Sequence, residues 1–389
     1  MYIFDKYFPP LNESQMIIGN KIFNIQSHLE QVVDLTDRIK IINGKEVKEE
    51  LSFFEIPSTV TSVDWDDFDK YKMYLKQFII PETINYIPMN AFIKLPELQE
   101  LTIKSNNFEL NGNRIFYINN ECLYSIYLPT TIKKVNNEEV EFKPLETFTI
   151  KTNATKLTDY CFANCEKLTE IKGLEYVKEI GKGCFINCPK LNRQQYPEVK
   201  KNVQQYLNEV VKEEHKKQLE EWTSLKCYDI LFDSDIDDWS EYTSVFDERI
   251  SGISKLTFLI ENTDGEIFGY YLNTEIIDYH DENENSEEVE TDNKSFHFNL
   301  VSNGRLPHPM KFEIQSRWTG GYKLFEKSWG NLIRLGDIVL FKENYKNGSC
   351  CGQFEDWFDY HGIGNALCGK TGWPNGCFTP KRILVIQMK

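Results

Sequence analysis

The chain has 389 residues, of which 41% are hydrophobic and 14% are aromatic, and its formal net charge is −16. A chain of this length exceeds one ordinary hydrophobic core, so more than one folded body is expected, and the apolar content argues against disorder. The stretches 229–248 and 281–292 hold fifteen carboxylates and no Lys or Arg. Since an acidic surface repels phosphate groups, binding to nucleic acid or to an anionic membrane is disfavoured.

The sequence shows no sign of a secretory or membrane segment. Met1–Pro10 lacks a basic stretch followed by an apolar one, and the chain has no run of about 18 apolar residues. A cytoplasmic location without membrane insertion is therefore predicted. In a reducing compartment the ten cysteines favour buried thiols or metal ligands over disulfides.

Residues 1–53 are predicted to form an N-terminal cap. Met16–Ile25 alternates around Gly19-Asn20, and Arg38–Val47 alternates around Asn43-Gly44. Both patterns predict β-hairpins. Ser27–Leu35, between them, is compatible with a short helix. A segment of this kind can cover the first repeat of a solenoid, which otherwise exposes its core.

One sequence unit occurs twice within residues 157–191. The unit Cys161, Phe162, Asn164 and Cys165 recurs 23 residues later as Cys184, Phe185, Asn187 and Cys188. Such a fixed period predicts stacked repeats that bury their apolar faces against each other. Further upstream, Ile56-Pro57 and Phe68 return as Ile80-Pro81 and Phe92, Phe116 falls at the next aromatic position, and Leu128-Pro129 opens another unit.

Residues 54–193 resemble the BspA-type leucine-rich repeat, whose units run from an aliphatic-Pro pair through a Phe and a Cys to a Leu and an Ile. The match is good in the last two units and degenerate between Lys104 and Thr149. This resemblance implies a curved solenoid whose side surface contacts other proteins, and it implies no enzymatic activity.

The segment 194–224 is predicted to be a helical linker. Pro197–Trp222 has no Gly, and its proline lies in the first turn, where helices accept it. An apolar stripe opens this helix, whereas Lys212–Gln218 is polar all round, as in a helix that bridges two folded bodies through solvent. A coiled-coil dimer is the alternative, but the heptad breaks in the middle.

The sequence pattern of residues 225–389 is typical of an all-β domain with glycine-containing turns. Leu256–Ile260 and Ile267–Tyr271 flank Asp264-Gly265, which predicts a hairpin with a two-residue turn. Further strands are predicted at Phe296–Leu300, Met310–Ile314, Ile333–Phe341 and Arg382–Met388, with His297 on the polar side of its strand. Short, evenly spaced strands favour a β-sandwich.

The order of motifs in this region resembles the opening and closing strands of the TLDc domain. The motifs are Asp229-Ile-Leu-Phe-Asp-Ser, Asp238-Trp-Ser, Gly265-Glu-Ile-Phe-Gly-Tyr-Tyr, Ser295-Phe-His-Phe and Gly336-Asp-Ile-Val-Leu-Phe. Trp239 and Tyr270 depart from the family pattern. The matching residues are Asp238, Ser240, Phe246, Asp264, Gly265, Phe268, Gly269, Tyr270, Phe296, Phe298, Gly336 and Asp337. The resemblance implies structural roles for them and a non-enzymatic domain.

Two patterns imitate ligand sites. Gly364, Gly369, Lys370 and Thr371 fit the spacing of a P-loop, but a P-loop needs a buried strand before it and a helix after it. Asp233, Asp235 and Asp237 imitate a calcium loop, but Asp238 and Ser244 stand where that loop has Gly and Glu. These carboxylates are instead predicted to cap a short helix at Trp239–Phe246.

The cysteines form two groups. Cys161, Cys165, Cys184 and Cys188 follow the repeat period rather than the C-x-x-C spacing of zinc sites, so buried thiols are predicted there. Cys350, Cys351 and Cys368 lie near Asp359 and His361 in the sequence. They are candidate redox-active thiols, because a thiolate held near a base can act as a nucleophile.

The sequence thus predicts an α+β multidomain protein with a leucine-rich-repeat solenoid, a bridging helix and a TLDc-like β-sandwich with short helices. The predicted function is a non-enzymatic adaptor that binds proteins and requires no cofactor. The TLDc resemblance implies roles in the oxidative-stress response or in binding a subunit of the vacuolar proton-pumping ATPase. A thiol sensor or enzyme and a stress-responsive nucleic-acid binder are the alternatives.

Overall fold

The structure is a computed structural model that describes most of the chain. It describes the strand backbones at 15–18, 21–24, 39–42 and 45–48, and residues 53–56, 58–63, 65, 75–93, 95, 97–105, 108–277, 289–315, 321–325, 328–352, 357–364, 366–370 and 376–389. The helix expected at Ser27–Leu35, the repeat residue Phe68 and most of the acidic stretch 281–292 lie outside these residues.

Contacts divide the chain into two compact units. The first unit comprises residues 1–161 and 171–179, and the second comprises 162–170 and 180–389. The division falls inside the segment that carries the repeats. Most of the last two sequence repeats therefore belong to the same unit as the C-terminal strands.

Four short strands precede the repeats. They are β1 (Gln15–Ile18), β2 (Lys21–Asn24), β3 (Ile39–Ile42) and β4 (Lys45–Lys48). β1 pairs with β2 and β3 with β4, both antiparallel. These pairings confirm the two hairpins predicted from alternation around Gly19-Asn20 and Asn43-Gly44.

The repeat region is a β-solenoid of about five turns. Its strands are β5 (Phe53–Glu55), β6 (Gln77–Ile80), β7 (Glu100–Ile103), β8 (Phe108–Asn111), β9 (Arg114–Asn119), β10 (Cys122–Tyr127), β11 (Lys134–Val135), β12 (Glu138–Glu139), β13 (Thr147–Thr149), β14 (Lys156–Leu157), β15 (Glu170–Lys172) and β16 (Glu179–Ile180). In the first unit, β5, β6, β7 and β11 pair in parallel, as β10 and β14 do. Parallel pairing at each repeat is how a solenoid turn stacks on the next.

The aliphatic-Pro pairs open equivalent turns. The Ile84 N–H donates to the Pro81 carbonyl over 3.2 Å, and the Ile132 N–H donates to the Pro129 carbonyl over 3.1 Å. Leu128-Pro129 therefore opens a repeat turn, as predicted. The prediction for Phe116 is wrong, because this residue lies on β9 in an antiparallel meander of β8, β9 and β10. That meander interrupts the period and explains the degenerate stretch.

The predicted single helix is two helices, α1 (Pro197–Val210) and α2 (Glu213–Thr223). Lys212 has an extended backbone (φ −56°, ψ 141°) that ends helical geometry between them. α1 packs against the first C-terminal strand, Cys227–Asp233, and buries Val199 and Val203. His215 and Leu219 of α2 are buried too. The prediction of a solvent-exposed bridge is therefore wrong, because both helices bury an apolar face within the second unit.

A third short helix, α3 (Phe246–Ile250), follows. The helix predicted at Trp239–Phe246 is absent, since residues 239–245 form turns and bends and the helix begins only at Phe246. No side chain caps α3 at Val245. Within the residues that the structure describes, none of the helices combines the length and the apolarity needed to cross a membrane.

The C-terminal region is rich in β-sheet. Its strands are β17 (Cys227–Asp233), β18 (Leu256–Asn262), β19 (Ile267–Leu272), β20 (Phe296–Val301), β21 (Met310–Glu313), β22 (Tyr322–Leu324), β23 (Asn331–Leu335), β24 (Ile338–Phe341), β25 (Cys350–Cys351) and β26 (Pro380–Met388). One sheet has the order β17-β26-β18-β19-β20-β21 and the other β22-β23-β24-β25. Both sheets contribute side chains to one buried cluster, for example Phe258 and Phe268 from the first and Ile333 and Leu340 from the second.

Two predictions about these strands are corrected. The predicted strand Ile333–Phe341 is two antiparallel strands, β23 and β24, because Gly336 has φ +53° and turns the chain there. The turn between β18 and β19 encloses three residues, 263–265, rather than two, since the Asn262 N–H donates to the Glu266 carbonyl. The Asn262 side chain accepts from the N–H groups of Asp264 and Glu266, which stabilises this longer turn.

Candidate functional site

A cavity of the first unit, between β8, β9 and β13, is a candidate for a binding site. Its volume is about 420 Å³, and Phe116, Leu123 and Phe148 are among its lining residues. The rings of Phe116 and Phe148 lie 4.3 Å apart. Glu109 and Lys151, which also line the cavity, form an exposed ion pair of 3.1 Å. Volumes of this order are typical of ligand pockets, and the exposed ion pair suits a polar or charged group.

The cavity lies where the repeat is interrupted. β8 and β9 supply Glu109 and Phe116, and β13 supplies Phe148 and Thr149. Sequence reasoning missed this site, because the meander erased the period that identified the other repeats. Phe116, which was assigned to a repeat core, lines the cavity instead.

An asparagine ladder joins the last two repeats within the second unit. Asn164 and Asn187, equivalent residues of the repeat, have φ of 62° and 50°, a left-handed conformation that Asn tolerates better than most residues. The Asn187 amide donates to Asn164 Oδ1 over 3.1 Å, and the Asn164 amide donates to Asp237 Oδ1 over 2.8 Å. The sequence repeat shows that Asn164 and Asn187 are equivalent. It does not show that the hydrogen bonds continue from Asn164 to Asp237.

The acidic turn after β17 is held by hydrogen bonds and a cation. Tyr206 donates to Asp233 Oδ2 over 2.7 Å, and Arg382 donates to both oxygens of Asp233. Asp237 Oδ2 accepts from the Asp233 N–H over 2.8 Å. The carboxylates therefore organise their own turn rather than capping a helix, and Arg382 supplies the positive charge beside them.

Burial shifts the protonation of these acids. It raises the pKa of Asp237 to about 6, against the opposing charge of Arg249. Burial also raises the pKa of Asp229, although the Arg193 guanidinium contacts it directly and acts in the other direction. Both carboxylates are almost inaccessible to solvent, and removing an ionised carboxylate from water disfavours its charged form.

The four repeat cysteines are buried thiols, as predicted. Cys161, Cys165, Cys184 and Cys188 are all at most 5% exposed. Cys161 Sγ lies 3.5 Å from the Leu123 carbonyl, and Cys188 Sγ lies 3.0 Å from the Phe162 carbonyl. Among the described residues, no group of three or more His, Cys, Asp and Glu side chains has an arrangement suited to a metal ion.

The C-terminal cysteines come together around β25. The backbones of Cys350 and Cys377 pair in an isolated antiparallel β-bridge, and both thiols are free. The Cys351 N–H donates to the Gly376 carbonyl over 3.1 Å. The Cys351 thiol donates a hydrogen bond to Cys368, which lowers the pKa of Cys368, while burial raises the pKa of Cys351 well above its usual range. Burial likewise raises the pKa of Cys350 to about 11. Of the three candidate thiols, Cys368 is the one whose pKa is lowered. Its Sγ atom also lies 3.3 Å from the Lys370 carbonyl oxygen, a contact in which the neutral thiol is the donor.

His361 does not join these cysteines as a base. Its Nδ1 atom lies 3.2 Å from Asp359 Oδ1, and its ring lies 6.1 Å from that of Phe312. The described contacts of His361 thus include no cysteine sulfur. The neighbouring P-loop-like segment also has another role, since the Lys370 ammonium pairs with Asp264 over 3.1 Å. Thr371 lies outside the described residues.

The TLDc-like signature residues occupy turns and core positions. Asp238 accepts from the backbone and hydroxyl of Ser240, and Asp264 and Gly265 lie in the β18–β19 loop. A Cβ at Gly269 would lie 1.8 Å from the Phe258 carbonyl oxygen. The aromatic members are Phe246, Phe268, Tyr270, Phe296 and Phe298, and all are at most 4% exposed. These surroundings are structural.

Gly336 and Asp337 border a buried polar group that sequence reasoning missed. His297 is fully buried, so its assignment to the polar side of β20 is wrong. His297 Nδ1 lies 2.8 Å from Tyr360 Oη, which lies 2.7 Å from Asp337 Oδ2. The Phe-His-Phe sequence around His297 was the available signal, since a polar residue between buried aromatic residues needs internal partners.

Comparison with known proteins identifies the repeats. Residues 45–162 and 112–212 match the BspA type leucine rich repeat region, in six copies. The N-terminal part of the chain therefore contains a BspA-type leucine-rich-repeat region, as the sequence motifs predicted. The comparisons give no support for a TLDc domain in the C-terminal half. No curated protein matches this chain.

Proposed function

We propose that this protein is a non-enzymatic adaptor that binds a protein partner through its leucine-rich-repeat region. The observation that carries the proposal is the match of residues 45–212 to BspA-type repeats. Stacked repeats present an extended, regularly spaced surface, and such surfaces are used to bind proteins.

The cavity at the interrupted repeat is the contact point within that surface. The exposed Glu109–Lys151 pair at its rim suits a polar or charged side chain of the partner. Tyr86 and Tyr176 of the same unit are about half exposed. Aromatic side chains of this kind are enriched in the energetically important parts of protein interfaces.

The C-terminal region supplies the adaptor's second contact. Its sequence resemblance to TLDc domains makes a subunit of the vacuolar proton-pumping ATPase the candidate partner, with a role in the oxidative-stress response. The motifs at Asp238, Gly269 and Gly336 support this proposal through sequence alone.

The test is a binding measurement with the purified full-length chain. It is immobilised and exposed first to the purified soluble sector of the proton pump and then to cell extract. Thr149→Arg places a long cation in the cavity wall, and Thr130→Arg is its control at an exposed site outside the cavity. We expect a specific partner whose affinity falls at least tenfold with Thr149→Arg and is unchanged with Thr130→Arg.

The outcomes separate the parts of the proposal. If the chain captures a specific partner that is not the proton pump, the pump is rejected as the partner and the adaptor function is retained. If Thr149→Arg and the wild type bind the partner equally well, the cavity is rejected as the contact point. If the immobilised chain captures no specific partner from either the pump sector or the extract, the adaptor function itself is wrong.

A thiol sensor is the second candidate, and one observation favours it. The hydrogen bond from Cys351 lowers the pKa of Cys368. Reactivity with peroxide follows thiolate content and access, so a sensor also requires local opening around Cys368, which is 1% exposed. Site-resolved alkylation of the native chain at neutral pH measures this reactivity for Cys350, Cys351 and Cys368. Labelling of Cys368 faster than free cysteine, and slower labelling in Cys351→Ser, is expected. Labelling of all three thiols no faster than free cysteine rejects the sensor.

A further inference from the structure

Two cysteines lie opposite each other where the two sheets of the C-terminal region meet. Cys350 lies on β25, the last strand in the order β22-β23-β24-β25. Its backbone pairs with that of Cys377 in an antiparallel bridge. Cys377 in turn lies three residues before β26 (Pro380–Met388) of the other sheet. The cysteine pair therefore belongs to neither sheet alone.

The hydrogen bonds of this bridge show how close the two cysteines lie. They join the residues on either side, since the Cys351 N–H donates to the Gly376 carbonyl over 3.1 Å and the Phe378 N–H donates to the Ser349 carbonyl over 2.7 Å. The cysteines are thus a non-hydrogen-bonded pair, in which opposed Cα atoms lie about 4.5 Å apart. A disulfide joins Cα atoms that are about 4.4–6.8 Å apart. The strands therefore need no rearrangement for a bond between the two sulfur atoms.

Both thiols lie on the outer face of the second sheet. Cys351 points into the core, so its neighbour Cys350 points to the other face and is half-buried. The row of opposed residues that contains Cys350 includes Val339 and Arg334, and both are half-buried too. Cys377 is half-buried as well. A small reagent therefore has access to this pair, which distinguishes it from the buried Cys351.

The segment that carries Cys377 is anchored to the first sheet. The Phe378 ring lies in the buried cluster, 5.0 Å from the ring of Phe268 on β19. The Thr263 N–H, directly after β18, donates to the Thr379 carbonyl over 2.9 Å. A bond between the two cysteines would therefore join the edge of the second sheet to the first sheet.

The neighbours of Cys350 affect how readily its thiol ionises. Burial raises the pKa of Cys350 to about 11, the Cys377 and Cys368 thiols act in the same direction, and Arg334 acts against them. Among these neighbours Cys377 has the largest effect, as expected for directly opposed side chains. A raised pKa slows attack by a thiol, whereas the extent of oxidation depends on the equilibrium between thiols and disulfides. The pair is therefore best tested at equilibrium.

We propose that Cys350 and Cys377 form a reversible disulfide that fastens the two sheets together, with a small disulfide such as oxidised glutathione as the oxidant. The thiolate of one cysteine attacks a glutathione sulfur, which forms a mixed disulfide and releases one glutathione thiolate. The thiolate of the other cysteine attacks the protein sulfur of that mixed disulfide and releases the second glutathione. Two protein thiols are oxidised, one glutathione disulfide is reduced, and the two released thiolates take up the two protons.

The second step selects this pair among the cysteines. The opposed thiol is held beside the mixed disulfide, so its attack is intramolecular. Cys122 provides the comparison, since it is half-buried too but pairs with Asn119 and Lys156 of the adjacent strands. Neither of these neighbours can displace glutathione, so Cys122 stops at the mixed disulfide. The reaction requires neither a partner of the repeats nor reactivity at Cys368.

The test uses the reduced full-length chain in buffers with an increasing ratio of oxidised to reduced glutathione at neutral pH. At equilibrium the chain is acidified, alkylated, digested and analysed by mass spectrometry, with fragmentation between Cys350 and Cys351 to identify the linked residue. We expect Cys350 and Cys377 to lose alkylation together and to form one linked peptide, about tenfold more abundant than any other cysteine pair. Cys122 should carry glutathione only. Excess reduced glutathione should restore both thiols.

Two variants check the assignment. Cys377→Ser should stop at a glutathione adduct on Cys350, and the matched control Cys122→Ser should form the same linkage as the wild type. Because the linkage is read directly in the wild type, the test does not depend on the folding of either variant. Glutathione adducts on Cys350 and Cys377 without a link between them, or full alkylation of both at every ratio, would overturn the proposal. A link from either residue to Cys351 or Cys368 instead would also overturn it.

Discussion

Asp237 makes the stability of the second unit depend on pH. Its pKa of about 6 exceeds the value near 3.9 of an unfolded Asp, so the folded chain binds the proton more tightly. The contribution of Asp237 is therefore present below about pH 4 and is lost as the pH rises to about 6. The difference of about two pKa units corresponds to roughly 3 kcal/mol in the free energy of unfolding.

We predict that Asp237→Asn removes this pH dependence. The unfolding free energy of the wild type is measured with denaturant between pH 4 and pH 7, together with that of the variant. The difference between them should change by roughly 3 kcal/mol over this range in the direction given above. Asp159→Asn, at an exposed residue, is the control. A difference between wild type and Asp237→Asn that is constant with pH would contradict the prediction.

Gly269 leaves no room for a side chain. A Cβ there would lie 1.8 Å from the Phe258 carbonyl oxygen and 2.8 Å from Phe298 Cζ. Since the first neighbour is backbone of the paired strand β18, it cannot move without breaking the sheet. We predict that Gly269→Ala lowers the unfolding free energy by more than about 3 kcal/mol. Denaturant unfolding measures this loss.

Gly364 provides the control for that substitution. A Cβ at Gly364 would meet no atom within 4 Å, so Gly364→Ala should change the unfolding free energy by less than about 0.5 kcal/mol. If Gly269→Ala is as mild as Gly364→Ala, the close approach of β18 and β19 is not as described.

The asparagine ladder adds side-chain hydrogen bonds to the backbone hydrogen bonds that join the last two repeats. Asn187 is 2% exposed, its amide donates to Asn164, and its N–H donates to Asp229 Oδ1 over 3.1 Å. We predict that Asn187→Ala lowers the unfolding free energy by about 2–4 kcal/mol, through the unsatisfied Asn164 oxygen and the left-handed backbone. Thermal and denaturant unfolding provide the measurement.

Asn137 separates these two causes. It has φ of 67° and is exposed, so Asn137→Ala carries the left-handed strain of about 1–2 kcal/mol without a buried hydrogen bond. Equal losses for the two alanine variants would mean that backbone strain explains the whole effect. The ladder would then contribute nothing through its hydrogen bonds.

The sequence could predict elements wherever a period was intact. The 23-residue repeat placed Phe162 over Phe185, and their rings indeed stack 5.8 Å apart. The meander at Phe116 was missed because it breaks the period. The break between α1 and α2 was missed because Val211-Lys212 contains neither Gly nor Pro. Local patterns do not report which face of an element tertiary packing will bury.

Site residues were harder to predict than elements. Cys350, Cys351 and Cys368 could be named from the sequence, but the hydrogen bond between Cys351 and Cys368 depends on the fold. The partnership of Asp337 with Tyr360 joins residues 23 apart through the core. Such contacts follow no period, so only the packed structure shows them.

At the scale of the molecule, the second unit extends upstream of the C-terminal strands. Residues 162–170 and 180–193 belong to it by their contacts. Arg193 pairs with the buried Asp229 of β17, and Tyr206 of α1 donates to Asp233 at the end of that strand. α1 also buries Val199 and Val203. The sheet β17-β26-β18-β19-β20-β21 therefore receives partners that lie outside residues 225–389.

We predict that a fragment of residues 225–389 is much less stable than a fragment of residues 162–389. The shorter fragment lacks Asn187 and Arg193, the partners of the Asp229 carboxylate, and breaking a buried ion pair typically costs about 3–5 kcal/mol. It also exposes the apolar surface that α1 covers. Denaturant unfolding and resistance to proteolysis compare the two fragments, with Arg193→Met in the longer one isolating the ion pair. Equal stability of the two fragments would show that the repeats and helices are dispensable to the C-terminal fold.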